Sequence, residues 1–170
     1  MNELSIILRK ARFSDWPYIY KNVWSRPECA RYMFWNVTDG AEAAQIRMER
    51  TIEYQKANPG AFFICRSDND EAIGFAGVKM LSETMAEESG ICLSSDYWHR
   101  GLGKEVLRRL MSYARDVFCS EVFIYHTRED NIPSVSLAES MGFTLERREP
   151  RVSEKDRQTY YYLVFRRSLD

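Results

Sequence analysis

The sequence predicts a mixed α/β fold built around a largely antiparallel sheet, and three observations carry that reading. Short runs rich in β-branched and aromatic residues alternate with helical patterns along the chain. Two of those runs, Ala61–Cys65 and Ala72–Val78, are separated only by the polar stretch Ser67–Glu71, as a hairpin requires. A compact glycine turn at Gly101–Gly103 then runs from a strand directly into an amphipathic helix. At 170 residues the chain suffices for one core of useful size and leaves little room for another, so a single domain over residues 1–170 is expected.

Taken in order, Ile6–Leu8 begins as a short strand. Ser14 ahead of Asp15-Trp16-Pro17 combines an N-cap residue with an early helical proline, which starts a first helix running to about Val23. Thr38 or Asp39 caps a second helix toward Lys56, and Asn58-Pro59-Gly60 stops it. The Ala61–Val78 hairpin follows, then a strand over Ser89–Leu93. Beyond Gly103 the apolar residues Val106, Leu107, Leu110, Met111, Ala114 and Val117 share one helical face. A strand at Val122–His126, a short helix at Pro133–Met141 and two strands near Phe143 and Tyr160 complete the chain. The segment from Arg26 to Asp39 is the least regular, and no repeat, low-complexity tract or flexible linker interrupts the pattern.

Hydrophobic residues at 45% and aromatics at 14% describe a folded globule, and a net charge of -1 gives no reason to expect a nucleic-acid partner. The N-terminal stretch Met1–Arg9 lacks the apolar core of a signal peptide, and no apolar run is long enough to span a bilayer. A cytoplasmic location without a membrane partner is therefore expected. Cys29, Cys65, Cys92 and Cys119 are scattered with no Cys-x-x-Cys pair, which argues against zinc or a redox dithiol. With two histidines and no ligand spacing, no metal is expected, and the cysteines read as reduced, mostly buried thiols.

The glycines of His99-Arg100-Gly101-Leu102-Gly103-Lys104 sit where a helix's free backbone N–H groups point outward, and the positive end of its dipole suits a phosphate. Arg100 and Lys104 add charge beside it, although Lys104 can equally be a solvated helix residue. The nucleoside-triphosphate loop requires Ser or Thr after Gly-Lys and a further upstream glycine, where Glu105 and Trp98 stand. The dinucleotide fingerprint needs a third glycine at Val106 and fails too. A different diphosphate ligand is indicated.

Trp98-His99-Arg100-Gly101-Leu102-Gly103 resembles the Gln/Arg-x-x-Gly-x-Gly/Ala pyrophosphate loop of the GNAT acyltransferase superfamily, departing from it at the first position. An aromatic-Trp pair before the loop is similar to the subgroup containing ribosomal-protein N-terminal alanine acetyltransferases and many small-amine acetyltransferases. Asn131-Ile-Pro-Ser134 and Ser140-Met-Gly-Phe143 are similar to the superfamily's Asn-x-x-Ser and Leu-Gly-Phe elements. The resemblance implies a sheet splayed between its fourth and fifth strands, with acetyl-coenzyme A as cosubstrate and its pantetheine arm lying in the splay like an added strand. It places the cofactor contacts at His99, Arg100, Gly101, Leu102, Gly103, Lys104, Asn131 and Ser134. A main-chain donor for the reaction's oxyanion falls near Cys92 or Leu93.

Acetyl transfer to an amine needs the amine unprotonated, so a base helps. By register with the subgroup's Glu-x-Gly pattern, Glu88 faces the acceptor site and is the candidate base, its pKa raised by burial. It can also be a solvated strand-end carboxylate beside Glu87, or a group that merely holds the substrate ammonium. The resemblance places a tyrosine as the thiolate's proton donor where this chain has Ala138, which leaves Ser134 as the nearest matching polar group. Ser134 and Asn131 are equally natural caps for the helix at Pro133. Tyr125 and Tyr160–Tyr162 are other hydroxyl sources. His126 reads as a neutral hydrogen-bonded residue, and Cys92 as core. Tyr32, Phe34 and Trp35 either wall the acceptor pocket or fill core. The implied function is an N-acetyltransferase acting on a primary amine, small molecule or protein N-terminus, by direct attack in a ternary complex. A noncatalytic coenzyme-A sensor is the alternative. Whether the last strand pairs across a homodimer interface is left open.

Overall fold

The computed structural model describes residues 4–170; residues 1–3, at the head of the stretch read for a signal peptide, lie outside the described residues. Seven strands form one sheet in the order β1-β2-β3-β4-β5-β7-β6. They are β1 (Ile6–Arg9), β2 (Ala61–Arg66), β3 (Ala72–Met80), β4 (Met85–Leu93), β5 (Val122–Arg128), β6 (Thr144–Val152) and β7 (Thr159–Ser168). Every pairing is antiparallel except β4 with β5. A parallel pair needs a crossover, and the amphipathic helix after the glycine turn supplies it.

The helices are α1 (Trp16–Ile19), α2 (Pro27–Ala30), α3 (Gly40–Ala57), α4 (Leu102–Asp116) and α5 (Ile132–Ser140). A 3-10 turn at Phe13–Asp15 leads into α1, and a π-helical turn at Tyr20–Trp24 prolongs it. Two large apolar cores lie against the sheet, with a small third cluster of Val122, Ile124 and Val164. One joins Val106, Leu107 and Leu110 of α4 and Ala138 of α5 to Ile64, Ala76, Val78, Ala86 and Phe123. The other packs Ile19, Val23, Trp24, Ala44 and Met48 on Phe63, Cys65 and Cys92. Alternation along β4 and β5 divides their side chains between the two layers.

Several local expectations change. Ser14 lies inside the 3-10 turn; Asp15 takes over the local turn, its carboxylate accepting from the Arg12 N–H at 2.8 Å. Asp39 occupies the N-cap of α3 without a side-chain bond, and Thr38 accepts from Arg47 instead. The irregular segment contains α2, opened by Pro27 at its first position. Helix α4 starts two residues earlier than expected, so Gly103 falls inside its first turn. The last strand is interior, paired on both sides by β5 and β6, so it has no free edge to offer a second chain. The edge is β6, whose Glu146, Arg147, Arg148, Glu149 and Pro150 disfavour edge-to-edge association. Cys29, Cys65 and Cys92 are buried free thiols, while Cys119 is exposed.

Candidate active site

The site is a fork in the sheet. β4 pairs with β5 only from Met85 to Glu87, opposite Val122 to Ile124. Beyond that point β4 stays bonded to β3 and β5 to β7, and the two strands part. The cause lies in β4, where the register with β3 slips between Gly77↔Gly90 and Val78↔Glu88, leaving Ser89 as a bulge. Gly90 takes φ +133°, which side-chain-bearing residues rarely adopt, and a Cβ at Gly77 would stand 2.3 Å from Ser89 Oγ. Two glycines on facing strands thus let the bulge form.

Glu88 is the first residue past the last β4–β5 pair. Burial pushes its carboxyl up to about 7 and neighbouring Glu87 adds to this, while backbone N–H groups of Gly90 and His126 and the charge of Lys79 oppose it. The two N–H donors come from opposite arms of the fork, so the carboxylate sits between them. A group poised near 7 exchanges protons readily at neutral pH. Neighbouring Glu87 points elsewhere: it accepts from Lys79 at 3.1 Å and lies 3.0 Å from His126 Nε2. Arg151 donates to His126 Nδ1 at 2.9 Å, and burial and the Arg151 charge hold the imidazole below its usual pKa. His126 is therefore the neutral Nε2–H tautomer, a structural residue bridging Glu87 and Arg151.

Past the bulge, Ser94 N–H donates to Ile73 at 2.8 Å, so Ser94 and Ile73 form a hydrogen-bonded pair and Leu93↔Gly74 a non-bonded one. The main-chain groups of Leu93, and by alternation of Ile91, consequently face the open fork, whereas those of Cys92 face β3. Of the two sequence candidates for an oxyanion donor, Leu93 is the one whose N–H faces the fork. Cys92 is instead buried thiol, bonded at 3.7 Å to the Cys29 carbonyl, and burial beside the Cys29 thiol raises it far above the reactive range.

At the mouth of the fork the chain makes a 3-10 turn at Ser95–Tyr97, and Trp98 Nε1 anchors it to the Leu93 carbonyl at 2.8 Å. Arg26 clamps the same turn from the first helical layer, donating to both Asp96 oxygens at 2.9 and 2.7 Å. His99 (φ 59°) and Gly101 (φ 76°) are both left-handed. Gly101 caps α4, and its carbonyl takes the Lys104 N–H at 3.1 Å, so the N–H groups of Leu102 and Gly103 project from the helix start. His99, Arg100, Gly101 and Lys104 are exposed around them, and Leu102 is buried beneath. The loop is thus a concave row of N–H donors at a helix N-terminus with cationic side chains nearby, suited to a diphosphate.

Across the fork, Ser134 Oγ meets the Tyr125 hydroxyl at 2.8 Å. Burial and then the Glu88 charge raise the Tyr125 phenol above its ordinary range, which keeps it protonated. Asn131 caps α5, its side-chain oxygen accepting from Ser134 N–H at 3.4 Å. Ala138 is wholly buried in the α4–α5 core and brings no hydroxyl to the fork. Of the residues expected from the sequence, Glu88, Leu93, the loop and Ser134 all lie around the fork; Tyr125 stood there only as one tyrosine among several, and period-two alternation on β5 from Phe123 was the available signal for its facing α5.

A cavity of about 220 Å³ lies under α3 and opens at the bulge, walled by Trp24, Trp35, Arg47, Phe75, Ser89 and Gly90 among others. The Arg47 guanidinium stands 4.5 Å from the ring centroids of both tryptophans. Of the aromatics in the 26–39 segment, Trp35 lines this cavity, while Phe34 is exposed and stacks on Tyr162, 6.2 Å between centroids. A larger groove between β6 and β7, lined by Thr144, Arg166 and Asp170, is remote from all of these groups. Among the described residues no cluster of three or more His, Cys, Asp or Glu is placed to hold a metal ion, and no helix is long and apolar enough to cross a membrane.

The family model described as Acetyltransferase (GNAT) domain matches residues 5–144. The uncharacterized N-acetyltransferase p20 of Bacillus licheniformis is 28% identical over 146 residues, 83% of this chain and 80% of the relative. Among solved structures, spermidine N-acetyltransferase from Vibrio cholerae, in complex with CoA and spermine, superposes with a TM-score of 0.77 at 14% identity over 96% of this chain and 95% of that one. The Salmonella typhimurium protein yncA, solved with its cofactor acetyl-CoA, gives 0.70 at 20% identity over 98% and 95%. At such identities the superpositions speak for the fold.

Proposed function

Because the chain belongs to the GNAT acetyltransferase family, and is with it an acetyl-coenzyme A-dependent N-acetyltransferase, we propose that it acetylates a primary amine by direct attack in a ternary complex, with Glu88 as the base. The observation that carries this is the position of Glu88 at the apex of the β4–β5 fork with a carboxyl raised to about 7. In that position it takes a proton from the incoming ammonium, and the freed amine nitrogen bonds to the thioester carbonyl carbon. The Leu93 N–H, facing the fork, supports the resulting oxyanion. The oxyanion then collapses to the amide carbonyl as the carbon–sulfur bond breaks; the Tyr125–Ser134 hydroxyl pair supplies a proton to the departing thiolate, the surplus proton on the acetylated nitrogen leaves to solvent, and the pair regains its own proton from solvent.

The cosubstrate's diphosphate would rest on the N–H groups of Leu102 and Gly103, with the turn at His99–Gly101 and the charges of Arg100 and Lys104 around it. Its extended arm would run along the unpaired edge of β4, bonding to the main chain of Ile91 as an added strand does, with the Leu93 N–H left for the oxyanion. Asn131, already capping α5, keeps its amide N–H donors for that arm. The one sheet, with helices on both faces, would work as a single acetyltransferase domain in the cytoplasm.

The test is free-thiol release from acetyl-coenzyme A against a panel of amines, comparing wild type with Gly101→Glu. Nothing lies within 4 Å of a Cβ at Gly101, but its left-handed φ strains any other residue and the carboxylate repels a diphosphate. Turnover with an amine, with KM for acetyl-coenzyme A raised at least tenfold in the variant, is expected. Turnover indifferent to Gly101→Glu would remove the loop from the reading. Tight cofactor binding with no amine ever acetylated would leave a noncatalytic sensor.

A further inference from the structure

Arg47 is a cation without an anion. Most other arginines with partly covered side chains have acid partners, Arg9 with Asp15 and Asp70, Arg26 with Asp96, Arg128 with Asp130, and Arg167 donates to the Met141 carbonyl instead. Among the described residues Arg47 makes one side-chain hydrogen bond, 2.8 Å to Thr38 Oγ1, and no ion pair. With its guanidinium 4.5 Å from the ring centroids of Trp24 and Trp35, it is held in a largely apolar setting. Loss of water there lowers it to about 10, so it still carries its charge at neutral pH. Burying an uncompensated charge is costly, and Arg presents its remaining N–H donors in a fork that matches a carboxylate.

A second donor stands beside it. Trp35 Nε1 is buried with no hydrogen-bond partner among the described residues. Both groups line the cavity that ends at Ser89 and Gly90, next to the catalytic fork. That cavity contains no Asp or Glu in its lining, so it offers nothing to the additional ammonium groups of a polyamine. At about 220 Å³ it also lies below the ~300–1,000 Å³ usual for drug-sized ligands, which suits a molecule of amino-acid size.

We infer that the acceptor is an amine that also carries a carboxylate, a free amino acid or a compact amino-carboxylate, with Arg47 and Trp35 Nε1 receiving the carboxylate while the amine reaches Glu88. The inference rests on the acetyltransferase reading of the fork. It adds that specificity comes from an anion pocket on the α3 side of the sheet, built by α3 and the 26–39 segment.

The experiment uses matched ligands: amino acids, their amides, the corresponding decarboxylated amines, and spermine. Binding is followed by tryptophan fluorescence, since Trp24 and Trp35 both adjoin Arg47, with coenzyme A present; turnover is followed by thiol release. At least one amino acid is expected to bind and react at least tenfold better than its own amide and decarboxylated amine. Arg47→Gln should erase that ratio while leaving KM for acetyl-coenzyme A unchanged, and Arg47→Lys should retain part of it. If Arg47→Gln does not fold, Trp35→Phe keeps the aromatic wall, removes the indole N–H and should reduce the same ratio. Amides or spermine reacting as well as the acids, a ratio unmoved by these variants, or no amino-carboxylate binding at all would each overturn the inference. Amino acids that bind through Arg47 but are never acetylated would uphold the pocket and defeat the catalytic reading instead.

Discussion

The Tyr125 phenol lies 2.8 Å from Ser134 Oγ, joining the diverging strand β5 to the first turn of α5. Neither group alone resembles a proton donor for a thiolate: the serine sits where a helix cap is common, and the tyrosine is a core residue. Paired, they form a short relay whose phenol is kept protonated by burial and by the nearby Glu88 charge. In the proposed reaction this pair would stand in for the tyrosine that the family resemblance places at Ala138.

If the relay delivers the proton, Tyr125→Phe and Ser134→Ala each lower kcat by about 100-fold, the lower end of what a positioned acid contributes. The double variant then loses little more than the worse single one, because groups acting as a unit are non-additive. An acetyl thioester with a more acidic thiol should shrink all three losses. Single-turnover rates with both thioesters read this out. Additive losses insensitive to the leaving group would make the pair a packing feature.

Glu88→Gln removes the base while preserving shape, and a loss of about 10²–10⁴ in kcat/KM is expected. The pH profile is the sharper measure. Wild-type activity should rise through about 7 as the carboxyl ionises. The variant's residual activity should follow only the amine's own ionisation. A limb near 7 that survives in Glu88→Gln would assign it to another group.

Much of this arrangement was legible from the chain because it is local. The glycine turn, the amphipathic face of α4 and the hairpin at Ser67–Glu71 are written in neighbouring residues, and each formed within a few positions of its expected place. Glu88 was found by register rather than by chemistry. Its acidic neighbours made it look solvated; only the bulge at Ser89, a tertiary accommodation between Gly77 and Gly90, turns it into the fork. Tyr125 was visible only as one hydroxyl among several, and Arg47 not at all: what leaves one a cation without an acid partner and pairs the other with Ser134 lies on Trp24, Trp35 and α5, in contacts that no local pattern encodes.

The raised carboxyl also has a consequence for folding that is independent of any substrate. A glutamate ionising at an ordinary 4.5 when unfolded and at about 7 when folded binds more protons in the folded state between those values. Its contribution to stability is therefore fully present below about 4.5 and is lost as pH rises through 7. The displacement corresponds to on the order of 3 kcal/mol. Gln at position 88 does not titrate, so Glu88→Gln should gain stability relative to wild type on passing from pH 4.5 to pH 8.5, by an amount of that order. Other carboxylates titrate alike in both proteins and cancel in the difference, which urea denaturation at the two pH values measures. Relative stability independent of pH would mean that the carboxylate is solvated, and it would take the base assignment with it.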